Sequence, residues 1–227
     1  MAKKKEFKKE DEQLENVNEA LSTTGQWIED HANVLTWVVI AIAAVVMGII
    51  AINTYVIKPK AVEANNENAK AQAYFIQGDF EKALHGDDAE CLGFEEIARS
   101  YSWYRPGKLA ALYAGICYYE LGEYEDAAKY LKKFSANDVN ISPAAKQLLG
   151  DAYVEMEEYG KAIKAYRAAA KSGNDLIAPM SLKKAGLVYL KQDNKKAAKR
   201  VFEAIKNDYP ASAEAQDIDK LIALTID

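Results

Sequence analysis

The sequence predicts an all-α chain: a single N-terminal transmembrane helix followed by an α-solenoid of helix hairpins. Three features lead there. The run from Ala32 to Ile57 has no charged residue. Beyond Pro59 the chain is rich in Ala, Glu, Lys and Tyr, and its glycines and prolines fall between amphipathic stretches. Within that part a pattern of Gly, Tyr, Ala and a large apolar residue recurs at near-constant spacing.

Residues 1–31 read as a polar tail. Leu14, Val17 and Leu21 stand at helical spacing, which would suit a short amphipathic helix on the membrane surface, but the polar composition favours a solvated tail. Residues 32–57 form the expected transmembrane helix. From Val34 to Ile52 the only polar side chain is Thr36, and that stretch meets the length needed to cross a hydrocarbon layer of about 30 Å at about 1.5 Å per residue. The apolar run is longer than a signal-peptide core, and the bulky Tyr55, Val56 and Ile57 close it without a small-residue cleavage site, so an uncleaved anchor fits better. Charge leaves the orientation open. Lys58 and Lys60 follow the helix directly, Glu29, Asp30 and His31 precede it, and the basic cluster Lys3, Lys4, Lys5, Lys8 and Lys9 is distant. Counted near the helix ends, these flanks lean towards a cytoplasmic C-terminal side, although long domains translocate with little regard to charge.

Residues 58–106 read as a linker helix and a degenerate first repeat, with Ala71, Tyr74, Gly78 and Ala83 in place and an insertion from His85 to Leu92. Residues 107–212 hold three clear repeats. Gly115, Gly150 and Gly186 each stand three residues before a tyrosine, and twelve residues after each comes Ala127, Ala162 or Ala198. Four further on stand Leu131, Tyr166 and Phe202. This is the pattern of tetratricopeptide (TPR) repeats, whose unit is about 34 residues. Gly lets the two helices of a unit approach closely, the small Ala fits the same contact, and the large residue is expected in the layer between units. Residues 213–227 would cap the last repeat.

The composition bounds the chemistry. A formal net charge of -5 disfavours a nucleic-acid binder, and two cysteines, Cys91 and Cys117, are too few for a disulfide scaffold. No phosphate loop, zinc-protease helix or Cys-x-x-Cys pair occurs. His85 with Asp87 and Asp88 reads as an acidic surface loop, and the pairs Glu95-Glu96 and Glu157-Glu158 as solvated surface. No enzyme activity, cofactor, metal or small-molecule substrate is expected. Asp79 to Ala98 is acidic and Lys183 to Lys206 basic, which reads either as ordinary solubility charge or as steering of a partner.

Protein partners are expected on the concave face formed by the first helix of each unit. Mapped from the glycines, that face carries Leu112, Ile116, Tyr119, Gln147, Asp151, Val154, Lys183, Leu187 and Lys191. Several are apolar and would suit a hydrophobic segment, unless the C-terminal cap buries them. Asp151 stands where a carboxylate clamp would need an amide, which disfavours capture of an acidic C-terminus. The aromatic patch Tyr101, Trp103 and Tyr104, beside Arg105 and Pro106, is expected in the core between repeats.

A short tail, one spanning helix and a C-terminal TPR domain resemble the ancillary subunit of the bacterial SecYEG translocon. The resemblance extends to Tyr113-Ala114-Gly115-Ile116-Cys117-Tyr118 and Leu182-Lys183-Lys184-Ala185-Gly186. Ala83-Leu84-His85-Gly86-Asp87 with Leu92-Gly93-Phe94 looks like the insertion of Bacteroidetes-type versions. It implies a single-pass inner-membrane protein with a cytoplasmic N-terminus and periplasmic repeats. The implied partners are the translocon and a membrane-tethered periplasmic chaperone, in the handling of exported proteins. The alternative is a structural scaffold subunit of a cell-envelope secretion or assembly complex.

Overall fold

A computed structural model of the chain describes residue 27, residues 31–87 and residues 91–226. Leu14, Val17, Leu21, the lysines at 3–5, 8 and 9, and Glu29, Asp30 and Asp88 lie outside the described residues. The chain divides into two units, Met1–Lys58 and Pro59–Asp227.

The first unit contains helix α1 (Ala32–Ile52) and a π-helical turn, Asn53–Ile57. None of its helical residues is buried, and the helix is long and apolar enough to cross a membrane. Thr36 returns its hydroxyl to the Ala32 carbonyl at 2.7 Å, so the single polar side chain of the apolar core is satisfied within the helix.

The second unit is an array of helix hairpins. Helix α2 (Lys58–Ile76) pairs with a second helix broken into α3 (Phe80–His85) and α4 (Phe94–Ser100). Three unbroken hairpins follow: α5 (Arg105–Glu120) with α6 (Tyr124–Leu131), α7 (Ile141–Glu155) with α8 (Tyr159–Ala170), and α9 (Ile177–Lys191) with α10 (Lys195–Asp208). A 3-10 turn (Ala213–Asp217) and α11 (Ile218–Ala223) close the unit.

One turn joins the helices in every hairpin. The repeat tyrosines Tyr74, Tyr118, Tyr153 and Tyr189 lend their carbonyls to the amides of Asp79, Glu123, Glu158 and Asn194, at 2.8–3.1 Å. This six-to-one closure needs a left-handed residue just before the donor. Gly78 and Gly122 fill that place at φ 78° and 80°. In the last two hairpins it falls to Glu157 and Asp193, at φ 58° and 56°, where a residue with a Cβ costs roughly 1–2 kcal/mol. The degenerate first repeat therefore turns as the clear ones do.

The repeat glycines have a sharper role than the spacing suggests. A Cβ on Gly115 would lie 2.7 Å from Leu131 Cγ, on Gly150 2.4 Å from the Tyr166 ring, and on Gly186 2.2 Å from the Phe202 ring. The large residue of each repeat thus sits on the glycine of its own hairpin. That contact within the hairpin adds to the layer between units, where Leu131 also meets Ala145 of the next hairpin. Ala127, Ala162 and Ala198 are fully buried at the same crossings.

The insertion also differs from a plain surface loop. Gly86–Asp87 and Cys91–Leu92 form a short antiparallel pair. Asp87 accepts the Tyr74 hydroxyl at 2.5 Å and the Cys91 amide at 3.0 Å, so its carboxylate folds the insertion onto α2. Phe94 stacks on Tyr113, and Phe75 meets both rings edge-on, welding the first hairpin to α5. At the other end Ile218 seals Phe202 and Ile205, and Leu182, Tyr189 and Leu190 pack on the same cluster. Cys91 and Cys117 are both free and buried. Burial pushes the Cys117 thiol up to about 12.

Two outcomes follow for the full chain in detergent. Gly150→Ala should lower stability by about 1–3 kcal/mol through overpacking against Tyr166. Gly160→Ala, where an added Cβ meets nothing within 4 Å, should raise it by about 0.4–1 kcal/mol. Thermal melts followed by circular dichroism check both. Cys117 should stay unmodified by thiol reagents at pH 8 and react only once the chain is unfolded, because its thiolate fraction is negligible there. Mass spectrometry of alkylated protein reads that directly.

Candidate partner-binding surface

The nine face residues fall on α5, α7 and α9, and the structure treats them unequally. Leu112 is buried with Leu131 and Ala145, and half-buried Ile116 packs on that cluster with Leu109 and Phe134. Leu112 therefore holds the second hairpin to the third and offers no surface. Tyr119 is half-buried, with its ring 5.5 Å from that of Tyr124. Burial, then the charges of Asp151 and Glu155, raise its phenol above the ordinary range. Val154 is half-buried against the main core.

Gln147 and Asp151 serve the junction between α7 and α9. Ser181 donates its hydroxyl to Gln147 Oε1 at 2.9 Å, while Gln147 Nε2 approaches Met180 Sδ at 3.2 Å. Asp151 takes Lys184 Nζ on both oxygens at 2.7 Å and the Tyr166 hydroxyl at 2.6 Å. Burial and this bond push the Tyr166 phenol far up. Tyr166 thus covers Gly150 with its ring and orients Asp151 with its oxygen, while Lys184 neutralises the carboxylate from the next hairpin. Lys184 lies outside the expected face, and its helical offset from Lys183 and Leu187 is the sequence signal that turns it towards α7.

What remains open lies on α9. Lys183, Leu187 and Lys191 recur every four residues along one face, and the cap packs instead on Leu182, Tyr189 and Leu190. Leu187 and Lys191 are exposed, whereas Lys183 is half-buried and its charge acts on Asp217 of the closing segment. Leu187 is 44% exposed. Lys191 Nζ lies 4.9 Å from the centre of the Tyr159 ring, and its pKa is raised first by its hydrogen bond to the Tyr159 phenol. The surface is an apolar residue between two cations, suited to an apolar segment with acidic neighbours.

Elsewhere, the aromatic patch divides. Tyr101 is buried and Tyr104 half-buried, as a core position requires, but Trp103 is 93% exposed, contrary to the expectation for it. Glu95 accepts the Tyr130 hydroxyl at 2.8 Å and stands 3.4 Å from His85 Nδ1, so it is an internal tie and not solvated surface. Among the described residues no group of three or more His, Cys, Asp or Glu side chains is placed to hold a metal ion.

Comparison with known proteins agrees with the hairpin geometry. Profiles described as tetratricopeptide repeat match residues 109–138 and 148–213. The repeat unit is an all-α array of TPR helix hairpins, a fold that serves as a protein-interaction scaffold. The chain is similar in fold to a crystal structure of MamA protein, at a TM-score of 0.51 and 19% identity, covering 73% of this chain and 90% of that one. A second MamA crystal structure matches at a TM-score of 0.48 and 20% identity, covering 68% and 91%. No curated protein matches the sequence.

Tyr166→Phe keeps the ring over Gly150 and removes only the bond to Asp151. It should destabilise the full chain by about 1.5–3 kcal/mol, as expected for a buried hydrogen bond to a charged group. Urea unfolding followed by circular dichroism measures the loss.

Proposed function

We propose that the protein is a non-enzymatic adaptor that α1 anchors in the bacterial inner membrane, with its TPR array binding proteins near the Sec translocon. The single observation carrying the reading is the exposed pair Leu187 and Lys191, with half-buried Lys183 on the same face of α9, left free by a cap that packs on Leu182, Tyr189 and Leu190. Ile116, Tyr119 and Val154 are half-exposed contributors to the same surface; Gln147 and Asp151 shape it through α9. Translocon and membrane-tethered chaperone partners, a cytoplasmic N-terminus and periplasmic repeats are supported by the resemblance of the sequence segments. In this reading residues 1–31 are the tail, 32–57 the span, 58–106 the first unit, 107–212 the clear repeats and 213–227 the cap. Confinement to the membrane would raise the effective concentration of the array next to other membrane components.

The test is affinity purification of the full chain from detergent-solubilised membranes, beside a Leu187→Asp, Lys191→Glu variant of equal melting temperature. Translocon or chaperone components identified by mass spectrometry should be recovered with the unaltered chain and fall at least tenfold with the variant, the size of loss expected when an apolar contact and a charge are both removed. Equal recovery with both, or a single salt-resistant complex without either partner, overturns the adaptor reading.

A further inference from the structure

Trp103 stands at the tip of the turn between α4 and α5, which the Tyr104 amide closes onto the Tyr101 carbonyl at 2.9 Å. The turn is fixed to the start of α2. Tyr101 is hydrogen-bonded to Glu63, which also takes Lys60 Nζ at 3.0 Å. One turn further, Asn68 donates to the Pro106 carbonyl at 2.9 Å. Beside this seam lies a cavity of about 690 Å³, with Ala61, Leu109 and Phe134 as apolar wall and Arg105 and Lys108 as its cations.

Those cations lack a carboxylate partner among the described residues. The acids close to them in the chain or the fold are committed: Glu63 to Lys60 and Tyr101, Asp138 to the backbone amides of Asn140, Ile141 and Ser142. Burial alone would raise the Asp138 carboxyl, and those amides outweigh it and hold it low. The site therefore presents uncompensated positive charge over an apolar wall, with a bare indole beside it. Such a mixture of Trp, Tyr, Lys and Arg is the composition of a membrane–water interface. Chain length places that interface within reach. Ala61 follows Ile57, the end of the uncharged run, by four positions, at most about 14 Å even when fully extended.

We propose that this end of the repeat unit docks on the bilayer: Trp103 seats in the headgroup layer, and Arg105 and Lys108 receive the phosphate of an anionic phospholipid. This rests on α1 being a membrane span. Each basic residue near an anionic surface contributes about a fivefold gain in association. The cavity walls accommodate the glycerol and the first methylenes of the lipid, and the cations hold its charge.

The test uses the full chain with Trp27→Phe and Trp37→Phe, leaving Trp103 as its one tryptophan. It is reconstituted into phosphatidylcholine vesicles with or without phosphatidylglycerol, both carrying lipids brominated near the carbonyl. Alkali-resistant flotation confirms insertion. Trp103 should be quenched strongly with phosphatidylglycerol and weakly without it, and Arg105→Ala with Lys108→Ala should bring the first value down to the second. Inserted protein whose Trp103 is unquenched in both vesicles overturns the docking proposal while leaving the span intact. Failure to float removes the span and the proposal with it. Abolition of the difference by inorganic phosphate assigns the cations to a free anion and overturns lipid docking.

Discussion

The close crossing inside each hairpin is the constraint on which the repeat unit depends. A missing Cβ at Gly115, Gly150 and Gly186 makes the hollow that Leu131, Tyr166 and Phe202 occupy. Each hairpin therefore fills its own crossing with its own large residue, and Leu131 also meets Ala145 of the next hairpin. Interiors are packed to crystal-like density, so a hollow of this kind tolerates one filling and little else. Leu131, Tyr166 and Phe202 differ in shape, and each hairpin has its own fit.

Between hairpins the bonds are of another kind. Tyr130 reaches back to Glu95 across the first junction, and Lys184 reaches back to Asp151 across the last. The middle junction is apolar, built on Leu112, Leu131 and Ala145. In a repeat array each unit answers only to its neighbours. A different chemistry at each junction discourages the hairpins from pairing out of order, because a tyrosine or lysine set against an apolar face would lose its partner. Polar ties contribute specificity here more than net stabilisation.

The repeat register, the hairpin turns and the apolar helix were legible because each rests on local rules: helical period, turn residues at the left-handed position (Gly78 and Gly122, then Glu157 and Asp193), and length of an uncharged run. Even the eroded first repeat was readable through Gly78 and Ala83. The fate of Trp103 was not. Tyr101, Trp103 and Tyr104 share a composition, and only the tertiary placement of a four-residue turn sends two inward and one outward. The face residues failed similarly in part. Ile116 and Leu187 each follow the glycine of their repeat by one position, but Ile116 packs on a cluster that includes Ala145 of the following hairpin, and Leu187 has no following hairpin to cover it. Asp151 was legible as an acid on that face, whereas its neutralisation depends on a lysine from the next hairpin.

The insertion in the first hairpin has a consequence for how the chain can vary. Gly86 and Gly93 bring its two ends together so tightly that a Cβ on either would strike opposing backbone at 2.1 Å. Because entry and exit nearly coincide, chain added between the paired strands need not push α3 away from α4. Loop closure grows only slowly with length. The hairpin has a built-in port where peptide can be lengthened or exchanged while the scaffold on either side keeps its register.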